Sequence, residues 1–404
     1  MSQSPVIVVG AGPVGLSVAA TLADQGVDVQ VFESRNDVDR EPRASTFHAP
    51  TLELLEPLGV VESMIERGLI ADRYQHRDRE RGIVAEFDFR LLAEDTRYPF
   101  RLQCEQHKLC DLLLARLEDA EHVQVRFDAE VTSFRQDDAG VDVEVTAPDG
   151  RAQWHRASHL VAADGASSTV RQQLGIAFDG MTYGDRYLVL NTRFPFEEHL
   201  TDLARVNYVS DPEEYVVLLQ APAGWRVLFP VPDDLDPEVA TDPEACQRRL
   251  QGVLATDEPY EIFHTKLYRI HQRVAERFRD GRVLLIGDAA HINSPIGGMG
   301  MNNGIHDAFA LARVLPDVIG GRRPHGELDD WARRRREVAR EYVRAITDRN
   351  SRALGERDEA ARRQHQQELA ATAADPERAR AWLLRSSMLT AVRSQGLIPA
   401  PSGH

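Results

Sequence analysis

Val6-Ile7-Val8-Val9-Gly10-Ala11-Gly12-Pro13-Val14-Gly15 stands near the start of the chain, an apolar run leading straight into closely spaced glycines. A continuous apolar run of this kind is the pattern of a strand buried on both faces of a parallel sheet. Glycines at 10, 12 and 15 ahead of a helix form the dinucleotide fingerprint. Two of them let the backbone turn tightly and approach a pyrophosphate, and the third lets helix and strand pack closely. The spacing predicts a helix from about Pro13 to Gln25, stopping near Gly26. Its N-terminus offers free N–H groups and a partial positive charge to phosphates. A second strand, Val27 to Phe32, ends at Glu33, 18 residues past Gly15. A carboxylate there can accept from the ribose hydroxyls of an adenosine.

This fingerprint serves NAD and FAD alike, and two later segments discriminate between them. Val283-Leu284-Leu285-Ile286 reads as another buried strand and ends in Gly287-Asp288. That carboxylate is placed to accept from the hydroxyls of an extended polyol; FAD contains one, its ribitol, and NAD does not. A glycine-rich loop follows, His291 to Asn303, and then a helix from about Gly304 through Arg313. Backbone N–H groups at such a loop-to-helix junction can stabilise negative charge on the N1–C2=O edge of a reduced flavin. The remaining segment is Ala163-Asp164-Gly165-Ala166-Ser167-Ser168-Thr169-Val170-Arg171. In this order and at these separations the fragments fit one bound FAD.

At 404 residues the chain is long enough for two domains or one large domain with an insertion. Hydrophobic residues at 42% and charged residues at 28% are ordinary for a globular protein. A net charge of −16 argues against a nucleic-acid partner, which requires a basic face. Arginine supplies nearly all the positive charge, because Lys108 and Lys266 are the only lysines. Cys104, Cys110 and Cys246 show neither a C-x-x-C pair nor metal-ligand spacing, so reduced structural thiols and no metal are expected. The N-terminus lacks the pattern of a signal peptide, and no apolar run has the length of a membrane span. The expectation is a cytoplasmic protein without stable membrane association, a monomer or homodimer.

The middle of the chain mixes helix (Thr51 to Leu58, Glu105 to Glu118) with strands (Val123 to Phe127, Val141 to Val145). From about Thr182 to Val231 the pattern becomes β-rich, as in Tyr187 to Arg193, Tyr215 to Gln220 and Trp225 to Val231. This stretch reads as most of a second sheet inserted into the first domain. Beyond about Asp330 the sequence is rich in Arg, Glu and Ala and should be helical, with a disordered tail over 397–404. The run Arg333 to Arg336 reads as a solvated helical face.

With GAGPVG at 10–15, ADGASSTVR at 163–171 and GDAAHINSPIGGMGMNNGIHDA at 287–308, the chain resembles the group A flavoprotein monooxygenases, the aromatic hydroxylases related to p-hydroxybenzoate hydroxylase. The match spans roughly residues 5 to 345. The resemblance implies an α/β fold: a Rossmann-like FAD-binding domain of the p-hydroxybenzoate hydroxylase / glutathione reductase type, an inserted β-sheet substrate domain and a helical C-terminal region. The expected divisions are 1–72, 97–177 and 267–345 for the FAD-binding domain, 73–96 and 178–266 for the substrate domain, and 346–404 for the C-terminal region. It further implies that NADH or NADPH reduces FAD, that O₂ forms a C4a-hydroperoxyflavin, and that this hydroxylates a phenolic or polyketide-like ring. Cofactor contacts are expected from Gly10, Gly12, Gly15, Glu33, Arg43, Gln106, Asp164, Gly165, Arg171, Gly287, Asp288, Gly300, Met301 and Asn302. Arg40 and Arg101 compete for some of them.

Pro295, Gly297 and Gly298 are expected beside the flavin, facing oxygen or substrate. His48, a few residues past Arg43, is a candidate for assisting phenol deprotonation, because an ordinary histidine titrates near working pH. It also suits a helix-entry or packing role. His291 suits a supporting hydrogen bond. Tyr187, Tyr208, Tyr215 and Trp225 alternate between a pocket and a core, and Arg226 suits a substrate carboxylate. Epoxidation or oxidative decarboxylation would use the same flavin chemistry. Gly224-Trp225-Arg226-Val227-Leu228-Phe229-Pro230 partly echoes a flavin-dependent halogenase signature but lacks its second Trp and its Ile. A non-catalytic flavin-binding protein is the remaining alternative.

Overall fold

The computed structural model describes residues 4–343 and 354–399. Its first sheet has six strands in the order Arg279–Asp280, Val283–Leu285, His159–Ala162, Val6–Val9, Val29–Phe32 and Val123–Arg126. All neighbours run parallel except Arg279–Asp280, which turns back against Val283–Leu285. Val6, Ile7 and Val8 are wholly buried, because helices and neighbouring segments cover both faces of the strand. The helix Pro13–Ala23 follows immediately and ends two residues before the expected Gln25. Gly10, Glu33, Asp164 and Gly287 each lie just past the carboxyl end of a strand in this sheet. Parallel pairing therefore brings together, on one edge, motifs that are far apart in sequence.

A second sheet of eight strands runs His291–Ile292, Ile262–Ala275, Phe178–Thr192, Gly224–Pro232, Val216–Ala221, Val206–Ser210, Arg73–Asp78 and Gly82–Asp88. The strand Ile262–Ala275 passes unbroken through position 267 and pairs with His291–Ile292, which leads into the glycine-rich loop. Alternation divides this sheet between two cores. Tyr187, Val189, Val206, Tyr208 and Val217 face the main core, which also contains the nucleotide-binding sheet. Leu188, Leu190, Val216, Leu218 and Val227 face a separate core with Phe196, Trp225 and Leu250. Two small three-stranded sheets complete the fold, and one of them joins Thr46–Phe47, Arg101–Gln103 and Leu69–Ala71.

The C-terminal helices Glu359–Ala374, Pro376–Ser386 and Leu389–Ser394 fold back over residues 73–96. Asp95 has a buried carboxylate and pairs with Arg380 at 2.7 Å and Arg393 at 3.2 Å. Trp382 Nε1 donates to Tyr74 Oη at 2.6 Å, and Gln366 Nε2 donates to Asp78 Oδ2 at 2.9 Å. The expected tail starts too early, because Leu397 and Ile398 are buried and Arg313 donates to the Gly396 and Leu397 carbonyls. Two apolar side chains with a core within reach are held there by burial. Residues 400–404 lie outside the described residues, as do 346–353 of the expected C-terminal region.

The arginine run is not a uniformly solvated face either. Arg335 is 1% exposed, and its Nε lies 2.6 Å from Asp307 Oδ1. Asp307 Oδ2 accepts from the Gly287 N–H at 3.0 Å and from His291 Nε2 at 2.7 Å. Burial alone would raise the Asp307 carboxyl, but Arg335 and His291 more than offset it and hold the pKa below the usual range. Removing one partner of such a pair leaves an uncompensated charge in the core. Arg335→Ala should therefore cost about 3–5 kcal/mol of stability. Exposed Arg333→Ala should stay within about 0.5 kcal/mol. Urea unfolding monitored by circular dichroism checks both, and equal losses would contradict the assignment.

Candidate functional site

At the first glycine motif the three glycines differ in what surrounds them. Gly10 has φ +101°, and a Cβ on it would lie 2.5 Å from the Ala163 carbonyl oxygen. A Cβ on Gly15 would lie 2.0 Å from the Gly10 carbonyl oxygen. Both positions are closed by protein. A Cβ on Gly12 would meet nothing within 4 Å, and Gly12 precedes the helix Pro13–Ala23 without a side-chain cap. The open glycine and the uncapped helix start together make the cradle that a pyrophosphate fits. Glu33 borders it, accepting from the Ala11 N–H at 2.8 Å and the Arg35 N–H at 3.0 Å. A carboxylate has about four acceptor positions, so capacity for ribose hydroxyls remains.

Next to this turn, Asp164 Oδ2 accepts from the Val170 N–H at 3.2 Å, whereas its buried Oδ1 has no partner. Burial pushes its carboxyl above the usual range. An unpartnered buried oxygen at this edge is a place for a ligand donor. Gly165, in the left-handed region at φ +80°, carries the chain away from it. Arg171 is committed to protein: it donates to the Ala289 carbonyl at 2.9 Å and the Ala166 carbonyl at 2.8 Å, 3.9 Å above the Phe178 ring. It laces the Asp164 segment to the Gly287-Asp288 turn. Asp288 is exposed to solvent, yet protein crowds it closely enough that burial raises its carboxyl pKa. An accessible group within a dense shell sits in a cleft.

Arg43 is half-exposed, paired with Asp39 at 2.9 Å, and near enough to Asp288 to favour its ionised form. Gln106 opens the helix Gln106–Glu118, and its N–H donates to the Ala44 carbonyl at 3.0 Å, which ties that helix start to the Arg43 loop. These groups line the donor set expected for the adenosine, diphosphate and polyol of FAD, and the residues present fit that group.

The glycine-rich loop turns at Pro295–Gly298, where the Gly298 N–H donates to the Pro295 carbonyl at 3.0 Å. Gly298 has φ +66°, and a Cβ on it would press on Thr46 Cβ at 2.8 Å. The helix begins at Gly300, four residues ahead of the expected Gly304, and has no side-chain cap. The Gly300, Met301 and Asn302 N–H groups therefore belong to its uncapped first turn. The Asn302 side chain is already saturated. Its Oδ1 accepts from the His48 N–H at 3.0 Å and Thr51 Oγ1 at 2.6 Å, and its Nδ2 donates to the Thr46 carbonyl at 2.8 Å and the Gly298 carbonyl at 2.6 Å. Only its backbone remains available to a cofactor.

His48 departs from the expectation of a titrating base. It is wholly buried, and Nε2 donates to the Gly297 carbonyl at 2.9 Å. Burial, aided by nearby Arg101, lowers its pKa to about 3. The ring is neutral at working pH, stands at the entry of the helix Ala49–Leu55 and fixes the Gly297 peptide.

A narrow pocket opens against Gly297 and Met299. Its other walls are Tyr74, His76, Arg101, Tyr208 and, from the C-terminal helices, Trp382 among others. His76 stacks on Tyr208 with ring centroids 5.3 Å apart, and Tyr74 stacks on Phe87 at 5.2 Å. Of the aromatics singled out in the sequence, only Tyr208 lines this pocket. Tyr187 and Tyr215 bond to each other at 2.7 Å, and Arg226 donates to the Arg43 carbonyl. Trp225 lies in the separate core with Nε1 on Glu197 at 2.6 Å, so the halogenase-like fragment is not at the loop. Tyr74 and His76 were detectable as same-face residues of one strand; Trp382 gave no signal beyond being aromatic in a polar helix.

The contrast between glycines yields a direct test. Gly12→Ala should leave unfolding of the cofactor-free protein unchanged while weakening FAD binding about tenfold or more. Gly15→Ala should destabilise the protein before FAD is added, because the Cβ meets backbone. Thermal melts and fluorescence titration with FAD check the pair, and a Gly12→Ala protein with unaltered FAD affinity would contradict the cradle.

Comparison with known proteins agrees with this geometry. The family model described as "FAD binding domain" matches residues 3–346. Para-nitrophenol 4-monooxygenase from Pseudomonas sp. (strain WBC-3) is 36% identical over 361 residues, covering 88% of this chain and 89% of that protein. The crystal structure of p-nitrophenol 4-monooxygenase PnpA from Pseudomonas putida DLL-E4 superposes with a TM-score of 0.90 at 33% identity, covering 95% of this chain and 97% of that one. OxyS anhydrotetracycline hydroxylase from Streptomyces rimosus gives 0.77 at 28% identity, covering 96% and 76%. The chain belongs to the FAD binding domain family and, within it, to the class A FAD-dependent aromatic hydroxylases.

Proposed function

We propose that this monooxygenase hydroxylates a compact phenolic ring seated among Tyr74, Tyr208 and Trp382. The observation that carries the reading is the pocket opening directly against Gly297 and Met299 of the flavin loop. When bound, FAD supplies the redox chemistry that turns NADH or NADPH and O₂ into an electrophilic oxygen donor. The chain contributes binding, orientation and exclusion of water. Gly10, Gly12 and Gly15 would receive the diphosphate, Glu33 the adenosine ribose, and Asp288 with Gly287 the ribitol. Arg43, Gln106, Asp164 and Gly165 would complete the cofactor's surroundings, with Arg171 holding two of these segments in register. The N–H groups of Gly300, Met301 and Asn302 would stabilise negative charge on the flavin, aided by the positive end of their helix.

Pro295, Gly297 and Gly298 would face the reacting ring, and neutral His48 would keep the Gly297 carbonyl in place. The aromatic walls orient the ring by stacking and exclude water, which strengthens polar interactions inside. We read 1–72, 97–177 and 267–345 as the FAD-binding domain, 73–96 and 178–266 as the substrate domain and 346–404 as a C-terminal region, with the strand Ile262–Ala275 joining the first two. A cytoplasmic monomer or homodimer without nucleic-acid partners suits the net charge of −16 and three free, buried thiols.

Anaerobic stopped-flow reduction of the FAD-loaded protein tests the function. With NADH and NADPH compared, a phenol that fits the pocket should accelerate bleaching of the flavin about tenfold or more. Absence of reduction by either nucleotide, with every phenol tried, would overturn the proposal.

A further inference from the structure

Gly297 and Gly298 both lie in the left-handed region, at φ +98° and +66°, and carry no side chain by which the flavin loop could be anchored. Two carbonyls serve instead. The Gly297 carbonyl takes His48 Nε2, and the Gly298 carbonyl takes Asn302 Nδ2. Asn302 also sits in the first turn of the helix Gly300–Ala312, so one amide ties the loop to the uncapped helix start. Four residues on, along the same helix face, His306 is 1% exposed. Its Nε2 lies 2.8 Å from Thr51 Oγ1, which lies 2.6 Å from Asn302 Oδ1. Two successive turns of one helix thus close on a single hydroxyl of the helix Ala49–Leu55.

The direction of every bond in this chain is fixed by its ends. Thr46 and Gly298 present carbonyl oxygens to one end of the Asn302 amide, which must therefore be the nitrogen. The His48 N–H faces the other end, which must be the oxygen. The Thr51 hydroxyl also faces that oxygen and points its one hydrogen at it. None is left for His306, so its Nε2 carries a proton and donates to Thr51. Burial, aided by Arg335 and His48 against the pull of Asp307, holds the His306 pKa well below its usual value, so the ring is neutral. A ring donating from Nε2 keeps the Thr51 hydroxyl a donor toward Asn302. Without it, a helical threonine can turn its hydroxyl back to a carbonyl of its own preceding turn. Asn302 Oδ1 would then keep only the His48 N–H.

We propose that His306 and Thr51 are positioning residues for the bound flavin: acting through Asn302, they hold the loop and the helix start where their N–H groups favour the reduced, negatively charged cofactor. Neither residue needs to touch FAD. The inference rests on the reading that these N–H groups face the flavin. Its test uses neither a nicotinamide nor a phenol, so it is independent of hydroxylation.

The test titrates FAD-loaded wild type, Thr51→Val, Thr51→Ser, His306→Leu and His306→Gln with dithionite against a reference dye, and measures affinity for oxidised FAD by fluorescence. Thr51→Val should bind reduced FAD about tenfold more weakly with affinity for oxidised FAD within about twofold of wild type, which lowers the two-electron potential by about 30 mV. Thr51→Ser keeps the hydroxyl and should keep the wild-type potential. His306→Leu should shift the potential in the same direction by less, and His306→Gln, whose amide nitrogen can donate in place of Nε2, should recover it. Because His306 acts through Thr51, adding His306→Leu to Thr51→Val should lower the potential no further. If Thr51→Val does not fold, the His306→Leu and His306→Gln pair decides by the same comparison. Equal weakening of both redox forms in Thr51→Val is what a merely structural threonine gives, and it overturns the proposal. An unchanged potential, or additive shifts in the double variant, overturns it as well. Failure of NADH and NADPH to reduce the flavin would instead count against the hydroxylase reading and leave this comparison standing.

Discussion

Asp307 makes the contacts on which the flavin side of the molecule depends. One carboxylate oxygen takes the Gly287 N–H and His291, and the other takes Arg335. The turn that presents Asp288 to the cleft is thereby fixed to the helix Gly300–Ala312, whose uncapped start closes the other side of the same site. A buried charge set of this kind is stable only when every member is present, because each desolvated group relies on the others. Asn302 performs the uncharged version of the same task a turn earlier, joining Thr46, His48 and Thr51 to the glycine-rich loop. Together the two residues hold the loop rigid where oxygen chemistry requires precise placement.

The glycines follow the same logic of fixed backbone around open space. Gly10, Gly15 and Gly298 have a neighbour within 3 Å of where a Cβ would stand, so they permit close packing of backbone. Gly12 has none, so its missing side chain leaves room for a ligand. A motif that reads as uniform in sequence therefore divides into positions that build the turn and one position that is left open.

The cofactor half of the site was legible because it is local. Strand, glycine turn, helix and acid occur in fixed order, and parallel strand pairing then brings Asp164 and Asp288 to the same edge. The pocket was less legible because its walls come from widely separated stretches, among them those of Tyr74, Arg101, Tyr208, Gly297 and Trp382. Alternation divides the inserted sheet between two faces, yet it cannot say which of them a distant C-terminal helix will cover. Arg335 illustrates the same limit. Four consecutive arginines read as solvated, and only tertiary packing selects the one aimed at Asp307. His48 was found for its position, but its burial removed the titration that made it attractive.

The pocket opens against Gly297 and Met299 of the glycine-rich loop. We propose that a ring bound there receives one atom of O₂. The most direct measurement reduces the FAD-loaded protein without oxygen, adds a phenol that accelerates reduction, and mixes in isotopically labelled O₂. Mass spectrometry of the quenched mixture should show a single labelled oxygen on the ring in a single turnover. Unaltered phenol, with all the label in hydrogen peroxide, would contradict it.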